Sequence, residues 1–213
     1  PELNGDAAVS ALRKQHGLQD RTLLLSVGRL STRKGLREFV AEALPRIAAA
    51  HPDVLLLIVG DAPTHALHAE AQTPASIQTA ADSAGVGKNI HFLGVITDYS
   101  ELGTVYRAAD VHVFPVREIP SDPEGFGMVA VEAAAHGVPT VAFATGGVVD
   151  AVAEGQSGHL VKPGDYAALA QAVLHTLTNG RSTWEAKAMV FARDFSWSSF
   201  GQRLGTTLMA KGQ

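Results

Sequence analysis

The chain has 213 residues, 46% of them hydrophobic, which is enough for one substantial core without covalent staples. It contains no cysteine, which excludes disulfides, zinc–thiolate sites and thiol nucleophiles and agrees with a reducing, cytoplasmic setting. The formal net charge of −4 comes without a run of like charges, so nothing suggests a basic face for nucleic acid.

In chain order, residues 1–20 read as a linker plus one helix, over Ala7–His16. They open with neither a basic start nor an apolar signal core, and without Met, as expected of a fragment or a processed chain. Leu23–Val27 is a short apolar run closed by Gly28. Gly35–Ala50 has helical spacing, with Leu36, Phe39, Val40, Ala43, Leu44 and Ile47 on one side and Pro45 as an internal kink or stop. Val54–Val59 is apolar throughout and stops at Gly60-Asp61, as expected of a strand buried on both faces of a parallel sheet. Asn89–Leu93, Val111–Phe114, Thr140–Phe143 and Gly158–Val161 are the further strand candidates. Helical patterns over about 75–84, 98–108, 127–136, 147–153 and 165–178 separate them, and two more, about 182–192 and 197–210, follow the last strand. Strands alternating with helices of this length predict right-handed crossovers and an α/β, doubly wound parallel sheet of Rossmann-like form. No run reaches the ~20 apolar residues of a bilayer span.

Ligands of such sheets bind at the carboxyl ends of the strands, near the point where strand order reverses. Three loops of that kind carry unusual residues. In Gly28-Arg29-Leu30-Ser31-Thr32-Arg33-Lys34-Gly35, two cations, Arg29 and Lys34, precede a helix. They suit a diphosphate, Arg29 as a planar fork and Lys34 as a point charge, although this loop taken alone reads as an exposed basic cap. Glu124-Gly125-Phe126-Gly127-Met128 runs into an apolar helix whose amino terminus would offer free N–H groups to a phosphate. Glu132 lies about a turn and a half down that helix, and a carboxylate on so apolar a helix needs a partner. Either carboxylate is a good acceptor for vicinal hydroxyls. The third loop, Ala144-Thr145-Gly146-Gly147-Val148, offers amides to a phosphate or reads equally well as a plain turn. His112 and His136 are read as structural or surface groups. His65 and His68, spaced i and i+3, have no third ligand nearby and are read as an exposed helical turn rather than a metal site.

Glu124-Gly125-Phe126-Gly127-x4-Glu132 resembles the E-x7-E motif of the retaining glycosyltransferases of family 4, which have the GT-B fold. Ser26-Val27-Gly28-Arg29-Leu30 with Lys34-Gly35, Ile58-Val59-Gly60-Asp61, Phe92-Leu93-Gly94, Ala109-Asp110-Val111, Gly137-Val138-Pro139-Thr140 and Gly146-Gly147 fit the same pattern in the same order, over residues 20–178. The resemblance is to the carboxy-terminal half of that two-domain architecture. It implies a leading segment 1–20, a donor-binding domain 21–180, and terminal helices 181–213 that cross to an amino-terminal, acceptor-binding half. It further implies transfer of a hexose-type sugar from a UDP- or GDP-sugar, with retention and with no metal or other cofactor. Arg29 and Lys34 would then neutralise the leaving diphosphate, with Glu124 as the third catalytic residue, contacting the transferred sugar beside the Gly125, Phe126, Gly127 and Met128 backbone. Glu132 would hold the ribose, and Gly28, Gly60, Asp61, Phe92, Leu93, Gly94 and Val95 would line the rest of the donor site. The implied partners are the donor and the absent half, through which peripheral membrane contact would be made. The chain by itself is expected to be inactive. The rival readings are a nucleotide-sugar-binding module without catalysis and a nucleotide-sugar epimerase on a similar fold. A dinucleotide oxidoreductase fits poorly, because no G-x-G-x-x-G follows the first strand.

Overall fold

The computed structural model describes residues 3–62, 72–119, 122–199 and 201–202, with the side chains of Leu3 and Asn4 left out. The apolar runs form six strands: β1 (Thr22–Val27), β2 (Val54–Val59), β3 (Ile90–Gly94), β4 (Val111–Phe114), β5 (Thr140–Phe143) and β6 (Gly158–Val161). They pair in the order β3-β2-β1-β4-β5-β6, and every pairing is parallel. Strand order therefore reverses between β1 and β4, and the loops leaving these two strands flank the crevice where such sheets take ligands.

Because successive side chains of a strand point to opposite faces, the continuous apolar runs supply both faces at once. Leu24, Leu56 and Ile58 pack on one face with α2 (Leu36–Glu42), α3 (Leu44–Ala50), α4 (Pro74–Ser83) and α8 (Tyr166–Asn179). Leu23, Leu25, Leu55 and Leu57 pack on the other with α1 (Leu3–Gln15), α5 (Tyr99–Ala108) and, through Ala133, α6 (Met128–Ala135). A four-residue helix, α7 (Val148–Ala151), and α9 (Ser182–Arg193) complete the order. No helix among the described residues is long and apolar enough to cross a membrane.

Two expectations change on inspection. The predicted helix 35–50 is two helices, because Pro45 sits in the first turn of α3, where its missing N–H costs nothing, and ends α2 instead of kinking one rod. The helix expected over 147–153 is the single turn of α7. The segment 1–20 holds the expected leading helix as α1, which lies along α5, with Leu18 buried and Arg13 donating to the carbonyls of Leu18, Arg21 and Ala108. The segment from 181 likewise starts as part of this domain. Arg181 donates to the carbonyls of Arg107, Ala109 and His136, and α9 buries Trp184 and Ala188 against the domain. Residues 197–199 and 201–202 are helical, while the remainder of the expected helix 197–210 lies outside the described residues, as do His65 and His68.

Candidate functional site

The loop after β1 leaves the sheet at Gly28, whose N–H donates to the Val59 carbonyl, and runs through a 3-10 turn, Thr32–Lys34, into α2. Gly60, at the end of β2, has φ +131°, and a Cβ there would stand 2.0 Å from the Gly28 carbonyl oxygen. Only glycine allows these two strand ends to meet so closely. Beyond β4, the chain returns along the same turn, with the Arg117 N–H donating to the Arg33 carbonyl.

The two loops join across the crevice through charge. Lys34 Nζ donates to Glu124 Oε2 at 2.9 Å, with both side chains nearly buried. Arg33 donates to Asp122 Oδ1 at 3.0 Å and to the Pro123 carbonyl at 2.9 Å, and its Nε lies 3.4 Å from Glu124 Oε2. Arg29 is exposed and has no ion pair among the described residues. Desolvation holds the Lys34 pKa below its ordinary value, against the opposing pull of the Glu124 hydrogen bond and charge. Lys34 Nζ also lies 4.7 Å from the centre of the Phe114 ring. An ammonium has three donors, so Lys34 can keep Glu124 and still present N–H to an anion.

From Phe114 a row of rings leads to the other predicted carboxylate. Phe114 stacks on His112 with ring centres 5.8 Å apart, and His112 meets Tyr106 edge-on at 6.3 Å. Tyr106 donates through its hydroxyl to Glu132 Oε2 at 2.9 Å, and this is the partner that a carboxylate on an apolar helix requires. Lys34 and Glu132 thus stand at opposite ends of one aromatic row. The helix is also less enclosed than its composition suggested, since Met128 is 67% exposed. Glu132, Phe126 and Met128 line a groove of about 540 Å³ together with Met189 and Phe195, and the Phe126 and Phe195 ring centres lie 5.4 Å apart.

The remaining predicted positions divide. Gly60 and Gly94 meet at the ends of β2 and β3, where the Gly60 N–H donates to the Gly94 carbonyl at 2.8 Å, and Val95 is exposed just beyond. Asp61 is exposed, and its carbonyl accepts from the Leu30 N–H. Phe92 and Leu93 point to opposite faces of the sheet and pack against the two cores. Both side chains are half-buried against those cores. The amides after β5 are committed too: those of Thr145, Gly147 and Val148 donate to the carbonyls of Phe143, Glu124 and Thr145. That third loop braces the Glu124 loop rather than offering these amides to a phosphate.

Arg33, Tyr106 and His112 escaped the sequence reading as site residues. Arg33 had a signal, its place beside Lys34, whereas nothing local marks Tyr106 or His112. His112 is fully buried, with Nδ1 3.1 Å from Thr140 Oγ1 and Nε2 without a partner. Burial, with a smaller push from the Lys34 charge, brings its pKa from 6.5 down to about 3. The unfolded chain therefore takes this proton first. The stability held by the neutral imidazole is complete above pH 6.5 and is lost progressively as pH falls toward 3, by up to ~1.4 kcal/mol per pH unit. Urea midpoints measured from pH 7 to pH 4 are expected to fall more steeply for the wild type than for His112→Leu. Parallel slopes would exclude His112 as a source of acid sensitivity.

No group of three or more histidine or acidic side chains among the described residues has the geometry for a metal ion. The family model described as "Glycosyl transferases group 1" matches residues 9–189. The GDP-mannose-dependent alpha-(1-6)-phosphatidylinositol monomannoside mannosyltransferase of Mycolicibacterium smegmatis is 32% identical over 96% of this chain and 52% of its own length. A D-inositol 3-phosphate glycosyltransferase of a Mycobacterium species (strain KMS) is 36% identical over 90% of this chain and 40% of its own. The crystal structure of HepE from Anabaena in complex with UDP superposes with a TM-score of 0.79 at 26% identity, over 96% of this chain and 53% of that one. The chain spans about half the length of these relatives.

Proposed function

Because this chain belongs to the group 1 glycosyl transferases, we propose that it is the donor-binding half of a retaining, metal-independent hexosyltransferase that uses a UDP- or GDP-sugar. The observation that carries the reading is the Lys34–Glu124 pair closing the crevice between β1 and β4, with Arg29 exposed on the same loop. A nucleoside diphosphate laid there meets two cations without a metal. The charge that grows on the departing diphosphate is met by Lys34, a preorganised donor in a partly desolvated site, and by Arg29 from the exposed part of the same loop. Glu124, tied to Lys34 and lying beside Arg33, keeps its other oxygen for hydroxyls of the transferred sugar. Glu132, at the far end of the aromatic row, takes the ribose.

The names of the relatives support testing both bases, since one is called GDP-mannose-dependent and another was crystallised with UDP. The acceptor would be held by the other half of the relatives' length, so this chain is expected to bind without turning over. Titration calorimetry against UDP, GDP and ADP, with EDTA present, is expected to find one nucleotide that binds. Arg29→Ala should then weaken it more than tenfold, about 1.4 kcal/mol. Absence of binding at millimolar nucleotide, or an unaffected Arg29→Ala, would overturn the donor-site reading for this chain.

A further inference from the structure

Tyr106 sits on α5 with its ring buried, 1% exposed, and its hydroxyl is aimed out of the core at α6. There it donates to Glu132 Oε2 at 2.9 Å, with the Val129 carbonyl a longer 3.4 Å away. The ring cannot swing freely. It lies flat on His136, with ring centres 5.2 Å apart and planes 11° apart, and meets His112 edge-on. His136 is in turn held through Nδ1, 2.9 Å from the Glu132 carbonyl. A glutamate has three side-chain torsions, and on a helix surface it would ordinarily sample several rotamers. This one is anchored at a single oxygen by a donor that is itself clamped, and no described residue bonds its other oxygen. Burial and the Glu132 charge push the Tyr106 hydroxyl above its ordinary pKa, so it remains a donor across the working pH range.

We infer that Tyr106 is a positioning residue, fixing one oxygen of Glu132 so that the other is presented to the ribose hydroxyls of a bound nucleotide. The inference rests on the donor-site reading given above. A purely structural tyrosine would support every ligand equally, whereas a positioning one acts only through the hydroxyls that Glu132 meets. The test is a ligand–variant cycle on this chain. UDP or GDP, whichever binds, is titrated beside its 2′,3′-dideoxy form into the wild type and into Tyr106→Phe, which keeps the ring and removes the donor. The wild type is expected to prefer the ribose form by more than about tenfold. In Tyr106→Phe that preference should shrink to about threefold or less, while affinity for the dideoxy nucleotide stays within about twofold of wild type. The dideoxy affinity also reports that the variant is folded. An undiminished ribose preference in Tyr106→Phe overturns the positioning role and leaves the role of Glu132 standing. A wild type that does not discriminate overturns both.

Discussion

Lys34→Ala is expected to weaken nucleoside diphosphate binding by about 10–100-fold, the equivalent of one or two charge-assisted hydrogen bonds to phosphate. In a longer protein carrying this domain, the same change should lower turnover by about 10²–10³-fold if, as proposed, the cation meets charge that develops on the leaving group. A stability cost of about 1–2 kcal/mol accompanies it. Glu124 has a nearly buried side chain, and without Lys34 it keeps only Arg33, at 3.4 Å, a guanidinium already bonded to Asp122 and Pro123. The two effects separate in the double variant Lys34→Ala/Glu124→Gln. Removing the stranded charge should restore the thermal midpoint but not the affinity. If the double variant recovers affinity as well, Lys34 serves only to hold Glu124, and its place at the phosphate is lost.

Gly147→Ala should be among the most damaging single-methyl changes in the site. A Cβ there would lie 1.8 Å from the Gly125 carbonyl oxygen and 2.9 Å from Phe126 Cα, and these are backbone atoms that cannot step aside by changing rotamer. The same residue donates its N–H to the Glu124 carbonyl. The Glu124 loop must therefore move as a unit, at a cost of about 3 kcal/mol, or roughly 6–12 °C in melting temperature for a domain of this size. Gly125→Ala is the control, because a Cβ there meets nothing within 4 Å, and stability within about 0.5 kcal/mol of wild type is expected. Comparable melting temperatures for the two variants would mean that the third loop does not brace the second.

The domain also shows where binding and stability share residues. Lys34, Arg33 and Glu124 close the crevice as one charged cluster, and Gly60 and Gly147 let backbones approach where a side chain would keep the crevice open. His112 lies between Phe114 and Tyr106, in the aromatic row that runs from Lys34 to Glu132.

All six strands were legible in the sequence, because a strand buried on both faces is largely apolar along its length and leaves the sheet at a glycine or a polar turn. Val54–Val59 before Gly60 is the plainest case. Helix periodicity gave most of the connections, and the spacing from Glu124 to Glu132 marked the loop and helix of the candidate site. These signals are local: each is a rule about a residue and its neighbours within a few positions. Strand order is not local, and it alone brings Lys34 to Glu124 across a separation of 90 positions and opens the crevice between β1 and β4. The same holds for Tyr106 on Glu132, for Gly147 under Glu124, and for Arg181 gathering three carbonyls from the ends of other elements. The sequence by itself determined the strands, most of the helices and the loops that carry the charged residues. Only the packed sheet decided which carboxylate meets which donor, because a partner for a half-buried charge is chosen by proximity in space, and local pattern carries no record of that.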